Sequence, residues 1–232
     1  MTKGTFKSKY KKYINTDLVF DKKTWVAIIA LLFASMAIFG FVVEINFYHI
    51  NALIKDGKDM WFWRGSQFGP WIEIYGIGAV CVFFLCYRFR KKPWLVALIS
   101  GAVLSVLELL TGMAIYYLDH GRREWNYNEE IWTFGNIGGF LCGRNIFCFC
   151  LAGPFAIYLV VPAIMWLAKR INRKVFLTVA YVLGGVAFAD MFYNDIINLI
   201  FPQLTKAGEF YKAKGFNFVK FTQHDKAFWK LK

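Results

Sequence analysis

Signatures that carry chemistry are scarce in this sequence. There is no G-x-x-x-x-G-K-[ST] loop to cradle phosphates, so the chain does not hydrolyse nucleotide by itself in that manner. There is no H-E-x-x-H, and the five cysteines (81, 86, 142, 148, 150) show no C-x-x-C spacing. They read as thiols packed among helices rather than zinc ligands. Only three histidines occur (His49, His120, His224), scattered in loops with no Ser-His-Asp motif to join. No internal repeat, low-complexity linker or second, soluble domain is visible. Acids are few as well: 15 Asp and Glu stand against 28 Lys and Arg, for a net charge of +13. The basic residues flank apolar runs, which makes nucleic acid a poor reading of that charge. No cofactor is expected.

What the sequence does have is apolar length. Of 232 residues, 58% are hydrophobic and 20% aromatic, with mean hydropathy +0.41. A soluble domain of this size would expose far too much apolar surface. The apolar residues fall in five blocks, 24–44, 70–87, 93–118, 145–168 and 175–201. Each has about the ~20 residues that a helix needs to cross ~30 Å of hydrocarbon. The expected fold is all-α, a polytopic membrane bundle of about five transmembrane helices. It divides into a basic segment 1–23, the bundle 24–201 and a tail 202–232. The first block is too long for a signal core and no A-x-A-like site follows it, so it is expected to stay as an anchor. Trp and Tyr at block ends (Trp25, Trp61, Trp63, Trp71, Trp94, Tyr116, Tyr117) read as an interfacial belt.

Charge gives the orientation. Residues 1–23 hold seven Lys and Arg, "RFRKK" (88–92) four and "KRINRK" (169–174) four, fifteen on one face. The opposite loops, 45–69 and 119–144, hold three each. The bias places the N-terminus in the cytoplasm. Seven lysines in the tail run against this, and their alternation with Phe, Tyr and Trp in "EFYKAKGFNFVKF" reads as a segment lying on anionic membrane lipids.

With that orientation the acids fall at one level. Glu44 ends the first helix and Glu73 begins the second, while Glu108 lies ~22 Å from the cytoplasmic end of the third. Asp190 sits at a similar depth in the fifth, Asp195 nearer the surface, and Arg144 and Asn145 open the fourth. A charge near mid-bilayer costs at least ~2.5 kcal/mol, so a shared site explains the pattern better than separate accidents. For Glu44, Glu73 and Asp195 the plain alternative is an acid at the interface, and for Glu73 a carboxylate suited to the helix dipole. Arg144 reads either as part of the site or as the structural counter-ion of Glu108 and Asp190.

The segment "DHGRREWNYNEEIWTFGNIGGFLCGRN" (119–145) begins charged and ends rich in glycine (Gly135, Gly138, Gly139, Gly143). Irregular backbone at membrane depth is tolerated where it is buried in protein or lines a cavity. The segment is expected to dip back, re-entrant, over an outer cavity; a plain surface connection is the alternative.

Several blocks together resemble a family. Gly40-Phe41-Val42-Val43-Glu44, Arg64-Gly65 with Gly69-Pro70, and Ile74-Tyr75-Gly76-Ile77-Gly78-Ala79 are similar to the ABC-transporter type IV permease family, also called CmpB-like. Leu107-Glu108-Leu109-Leu110-Thr111-Gly112 matches its L-E-Y-L-T-G, and Trp125-Asn126-Tyr127 its W-D-Y. Residues 136–142 meet its N-x-N-G-R-I-C in part, and Asp190 matches an acid in its last helix. The chain departs at Phe41 (often Trp in the family), Asn126 (for the acid) and Phe140 (for the Arg), which leaves Arg64 and Arg144 as the cations of the outer site. The resemblance implies a small bacterial inner-membrane protein working with a separate ATPase subunit; five helices are few for a carrier on its own, so a homo-oligomer is the alternative.

The residues read together as a polar site are Glu44, Arg64, Glu73, Glu108, Trp125, Tyr127, Arg144, Asn145 and Asp190, with Glu108 and Asp190 sharing a pocket. The first function they fit is a transport component whose acids bind a proton, a cation or a cationic substrate. The second is an intramembrane enzyme or binder acting on a lipid headgroup, with metal assistance. A scaffold that uses the site only for helix packing is the third.

Overall fold

The computed structural model describes residues 19–118, 121 and 123–218. The basic stretch 1–18, His120, His224 and the tail beyond Phe218 lie outside them.

Asp21 starts the first helix by accepting hydrogen bonds from the backbone N–H groups of Lys23 (3.1 Å) and Thr24 (3.2 Å), two of the donors that a helix start leaves open. α1 then runs Lys22–Asp56, 35 residues, or about 52 Å at 1.5 Å per residue. Gly57 closes it in the left-handed conformation, φ 62°. The expected end near Glu44 is therefore corrected. The helix continues because its inner face still has cover: Tyr48 and Ala52 are buried, and the Arg64 guanidinium lies 4.1 Å over the Tyr48 ring.

α2 is Glu73–Cys86, 14 residues, extended by a 3₁₀ turn Tyr87–Phe89. α3 is Pro93–Leu118, α4 Gly143–Arg170 and α5 Arg173–Ile197, and a short α6 covers Ala207–Ala213. Four of these, α1, α3, α4 and α5, are long and apolar enough to cross a membrane. The expected helical membrane bundle is observed, and of the five expected helices α2 is the one shorter than a bilayer crossing requires. Its N-terminal residues are taken up by a loop, 57–72, that reaches down beside α1. There the Ile72 N–H donates to the Ala37 carbonyl at 3.0 Å, so α2 begins already deep in the bundle.

The helices pack in the order α5, α1, α2, α3, α4, and α4 closes back on α1. Ala27, Ile28 and Leu32 of α1 are fully buried against Phe83, Met165, Phe176 and Ala180. Between α3 and α4 the backbones approach closely: the Ser100 hydroxyl donates to the Phe149 carbonyl at 3.0 Å, and a Cβ on Gly153 would lie 2.1 Å from Ser100 Oγ. Pro154 sits inside α4, and the wide π-turn Ala156–Val160 follows it, taking up the register shift that a missing N–H imposes. On the outside, Val175, Val179, Val182 and Val186 of α5 and Leu98, Val106 and Leu110 of α3 are exposed. Their helical spacing marks lipid-facing stripes.

The short connections 88–92 and 169–174 lie at one end, where Arg173 pairs with Asp21 at 3.0 Å and ties α5 to α1. The loops gather at the other. There Tyr211 of α6 stacks on Trp63 at 4.1 Å, its hydroxyl donates to the Phe68 carbonyl at 2.5 Å, and the Trp63 N–H donates to the Asn217 carbonyl at 2.8 Å. Phe216 meets the edge of Trp63 at 5.6 Å and stays half exposed.

Candidate functional site

The segment between α3 and α4 is a folded cap. Asn136 and Asn126 are fully buried. Asn136 accepts from the Gly139 N–H and donates to Asn128 Oδ1, both at 2.8 Å, while Asn126 donates to Glu129 Oε1 at 2.9 Å. Gly139 has φ +78°, and a Cβ there would meet Asn126, Asn128 and Arg123 within 2.8 Å, so the turn requires glycine. Phe140, one of the departures from the family blocks, lies under the Arg123 guanidinium at 4.2 Å. The cap folds onto α3: Trp125 donates to the Phe140 carbonyl at 3.0 Å, and both rings rest against Gly112.

That seat carries Tyr127 to Glu108. The Tyr127 hydroxyl donates to Glu108 Oε1 at 2.5 Å, and Asn145 Nδ2 donates to the same oxygen at 3.0 Å as well as contacting the Tyr127 hydroxyl. Burial, and then the charges of Glu108 and Glu130, push the Tyr127 hydroxyl well above its ordinary pKa near 10, so it stays a donor. Glu108 is 7% exposed, and its second oxygen, Oε2, is buried without a hydrogen-bond partner.

The cations beside it are already matched. Arg144 donates to Glu130 Oε2 at 2.9 Å, to the Ile131 carbonyl at 2.7 Å and, through Nε, to Asn145 Oδ1 at 3.0 Å. Tyr48 donates to the other Glu130 oxygen at 2.6 Å. Arg64 pairs with Glu44 at 2.8 Å and donates to the Glu124 carbonyl at 3.3 Å. The alternative that made Arg144 the counter-ion of Glu108 and Asp190 is thus corrected: its carboxylate is Glu130, at short range and almost fully buried.

Seven of the nine expected residues meet in this cluster: Glu108, Tyr127, Asn145 and Arg144 directly, Glu44 and Arg64 through Tyr48, and Trp125 as the support of the cap. Asp190 does not share partners with Glu108. Its carboxylate accepts from the N–H groups of Phe68 (3.1 Å) and Gly69 (2.7 Å), the Trp71 indole (3.0 Å) and Asn194 (2.7 Å). It anchors the loop 57–72 to α5. Glu73 lies with it on that side, accepting from Gln67 at 2.8 Å. Glu130, Tyr48 and Gln67 were not among the expected residues. The charged start of the 119–145 segment was the one signal pointing to Glu130. Among the described residues no group of three His, Cys, Asp or Glu side chains is placed to hold a metal ion.

A buried carboxyl with one open oxygen, braced by a phenol and an amide and flanked by two matched ion pairs, has the chemistry to take up a proton or a small cation. No curated protein and no solved structure matches the chain. The family model described as "Putative ABC-transporter type IV" matches residues 31–194, a stretch that includes α2, α3, the cap, α4 and the whole Glu108 cluster. Apolar helices and family agree on a multi-pass membrane transport component, and the chain belongs to this ABC-transporter type IV family.

Proposed function

We propose that the protein is the membrane-embedded part of a transporter in which Glu108 is the binding carboxyl for a proton, a cation or the cationic group of a substrate. The observation that carries this is the open Oε2 of Glu108, since a buried carboxylate with no cation of its own is costly to keep. Tyr127 and Asn145 hold the group in place, and the Arg144–Glu130 and Arg64–Glu44 pairs fix the walls. In this reading the cluster opens to the outer half of the bacterial inner membrane and the N-terminus is cytoplasmic, in line with fifteen basic residues in 1–23, 88–92 and 169–174 against six in the segments 45–69 and 119–144, with the seven tail lysines running against it.

Energy coupling then comes from a separate ATPase subunit docking on "RFRKK" and "KRINRK", since these connections are too short to carry one. Purification in mild detergent from the native host, followed by mass spectrometry, recovers an ATPase subunit in near-stoichiometric amount. Its ATP hydrolysis in the complex drops with Glu108→Gln while assembly is unchanged. Recovery of a homo-oligomer alone, or a Glu108→Gln complex that hydrolyses ATP as wild type, counts against the reading. The lipid-headgroup alternative finds no support in the side chains described.

A further inference from the structure

Outside the Glu108 cluster, Asp190 lines a groove of about 560 Å³ on the flank of α5. Val186, Ala189, Asp190 and Tyr193 fall at positions i, i+3, i+4 and i+7, so they share one face of the helix. Val186 belongs to the lipid-facing stripe and is 53% exposed, so the groove opens toward lipid. Phe68 and Trp71 of the loop 57–72 form its other side. The protein itself fixes these rings. Phe68 and Tyr193 meet at 5.9 Å between centroids, and the Tyr193 hydroxyl donates to the Thr205 carbonyl at 3.2 Å. The Trp71 indole donates to Asp190 at 3.0 Å.

The carboxylate in this groove carries a charge that its protein partners do not match. Its four donors, the Phe68 and Gly69 N–H groups, the Trp71 indole and the Asn194 amide, are all neutral. Oδ1 takes two of them and Oδ2 the other two, which suits an ionised carboxylate, a group that only accepts. Among the described residues no Lys, Arg or His pairs with Asp190, and none lines the groove. A charge this close to lipid is costly without a partner. The geometry also selects the kind of cation. With both oxygens occupied, a metal ion finds no free oxygen ligands, and a primary ammonium finds no acceptor for its three donors. A quaternary ammonium needs no hydrogen bond and is drawn by negative charge and by aromatic rings. The groove holds no cation to meet a phosphate, so a phosphocholine headgroup would leave its own anion unmatched.

We propose that this groove binds quaternary ammonium amphiphiles that reach it from the membrane. The head sits beside Asp190 among Phe68, Trp71 and Tyr193, and the apolar chain runs along Val186 and Ala189. The site is separate from Glu108 and stands whether or not Glu108 is the transport carboxyl.

Calorimetric titration of the full chain in dodecylmaltoside micelles with hexyltrimethylammonium tests this, with the heat of empty micelles subtracted. The wild type binds the probe saturably, one per chain. Hexylammonium binds roughly tenfold more weakly, and hexanol shows no saturation. Val186→Trp, on the lipid-facing stripe, fills the groove and abolishes binding. Asp190→Asn weakens it roughly tenfold, and Glu108→Gln binds as wild type. Hexylammonium binding as tightly as the quaternary probe, or saturation by hexanol, overturns the proposal. So does displacement when sodium replaces N-methylglucamine at constant ionic strength, which would make the site one for a metal cation. Unaltered binding in Val186→Trp, or its loss in Glu108→Gln, places the probe elsewhere and also overturns it. Displacement by dihexanoylphosphatidylcholine at the probe's own concentration does the same, by making the site one for a lipid headgroup. The ligand series needs no variant and decides the matter even if Asp190→Asn, which weakens the anchor of the loop 57–72, fails to fold.

Discussion

Replacing Glu130 with Gln separates the structural ion pair from the binding carboxyl. Glu130 has 2% of its side chain exposed and Arg144 16%, so the pair is close to fully desolvated. The Gln amide keeps an acceptor for Tyr48, but Arg144 is left with the Ile131 carbonyl and Asn145 Oδ1, both neutral. Removing one partner of a buried pair costs ~3–5 kcal/mol because the other charge is stranded. The Phe47 and Tyr127 rings, 4.6 and 5.2 Å from the guanidinium, offset part of that, so about 3 kcal/mol is the expected loss. Arg144→Gln should cost about the same by stranding Glu130. The double variant leaves no buried charge and should cost well under the sum, with a coupling of up to ~3 kcal/mol. Glu108→Gln breaks no ion pair and keeps an acceptor for Tyr127 and Asn145, so its cost should stay near ~1 kcal/mol. The assay is unfolding of purified protein in mixed micelles titrated with sodium dodecyl sulfate, followed by tryptophan fluorescence. Single costs for Glu130→Gln and Arg144→Gln that simply add would refute the argument, and so would a Glu108→Gln loss as large as theirs.

A reporter active only outside the cytoplasm should be active when fused after Gly121 and silent after Arg90; reversed signals would put the cap on the cytoplasmic side. Gly112→Ala places a Cβ 2.9 Å from both Trp125 and Phe140 and should cost ~1–3 kcal/mol, read as faster proteolysis within residues 121–142; unchanged proteolysis would mean that the cap is not seated there. The Thr24 hydrogen bond, and then that of Arg173, hold the Asp21 carboxyl well below its ordinary 3.8. Its contribution is therefore complete above that pH and lost as pH falls below it, so Asp21→Asn should flatten the acid limb of a stability–pH curve, and an unchanged acid limb would count against the cap.

The helices were legible in the sequence where lipid alone dictates composition. The block 93–118 coincides with α3, Pro93–Leu118, because both of its ends are set by the change from apolar to charged residues. Legibility failed where protein replaces lipid. Residues 45–56 look like a polar loop, yet they are helical because Tyr48 is covered by Arg64 and bonded to Glu130, contacts made across long stretches of chain. Block 70–87 looks like a full span, yet its start is held beside Ala37 by a loop. At the site, the burial of Glu108 was readable from its position in an apolar run. Its separation from Asp190 was not: two acids at one depth on different helices face either each other or different neighbours, and spacing within a helix does not choose between them.

The anchoring of the loop 57–72 has a consequence for how the molecule is made. The partners of its Phe68–Gly69 stretch come late in the chain: Asp190 receives the N–H groups of Phe68 and Gly69, and Tyr211 binds the Phe68 carbonyl. When α1 and α2 leave the ribosome, none of those partners has been synthesised. Backbone N–H groups without acceptors are expelled from hydrocarbon at several kcal/mol each, so the loop waits in water with α2 only partly drawn in. It settles beside Ala37 after α5 has crossed, which makes the deep register of α2 the last step of assembly and not one set by the order of insertion.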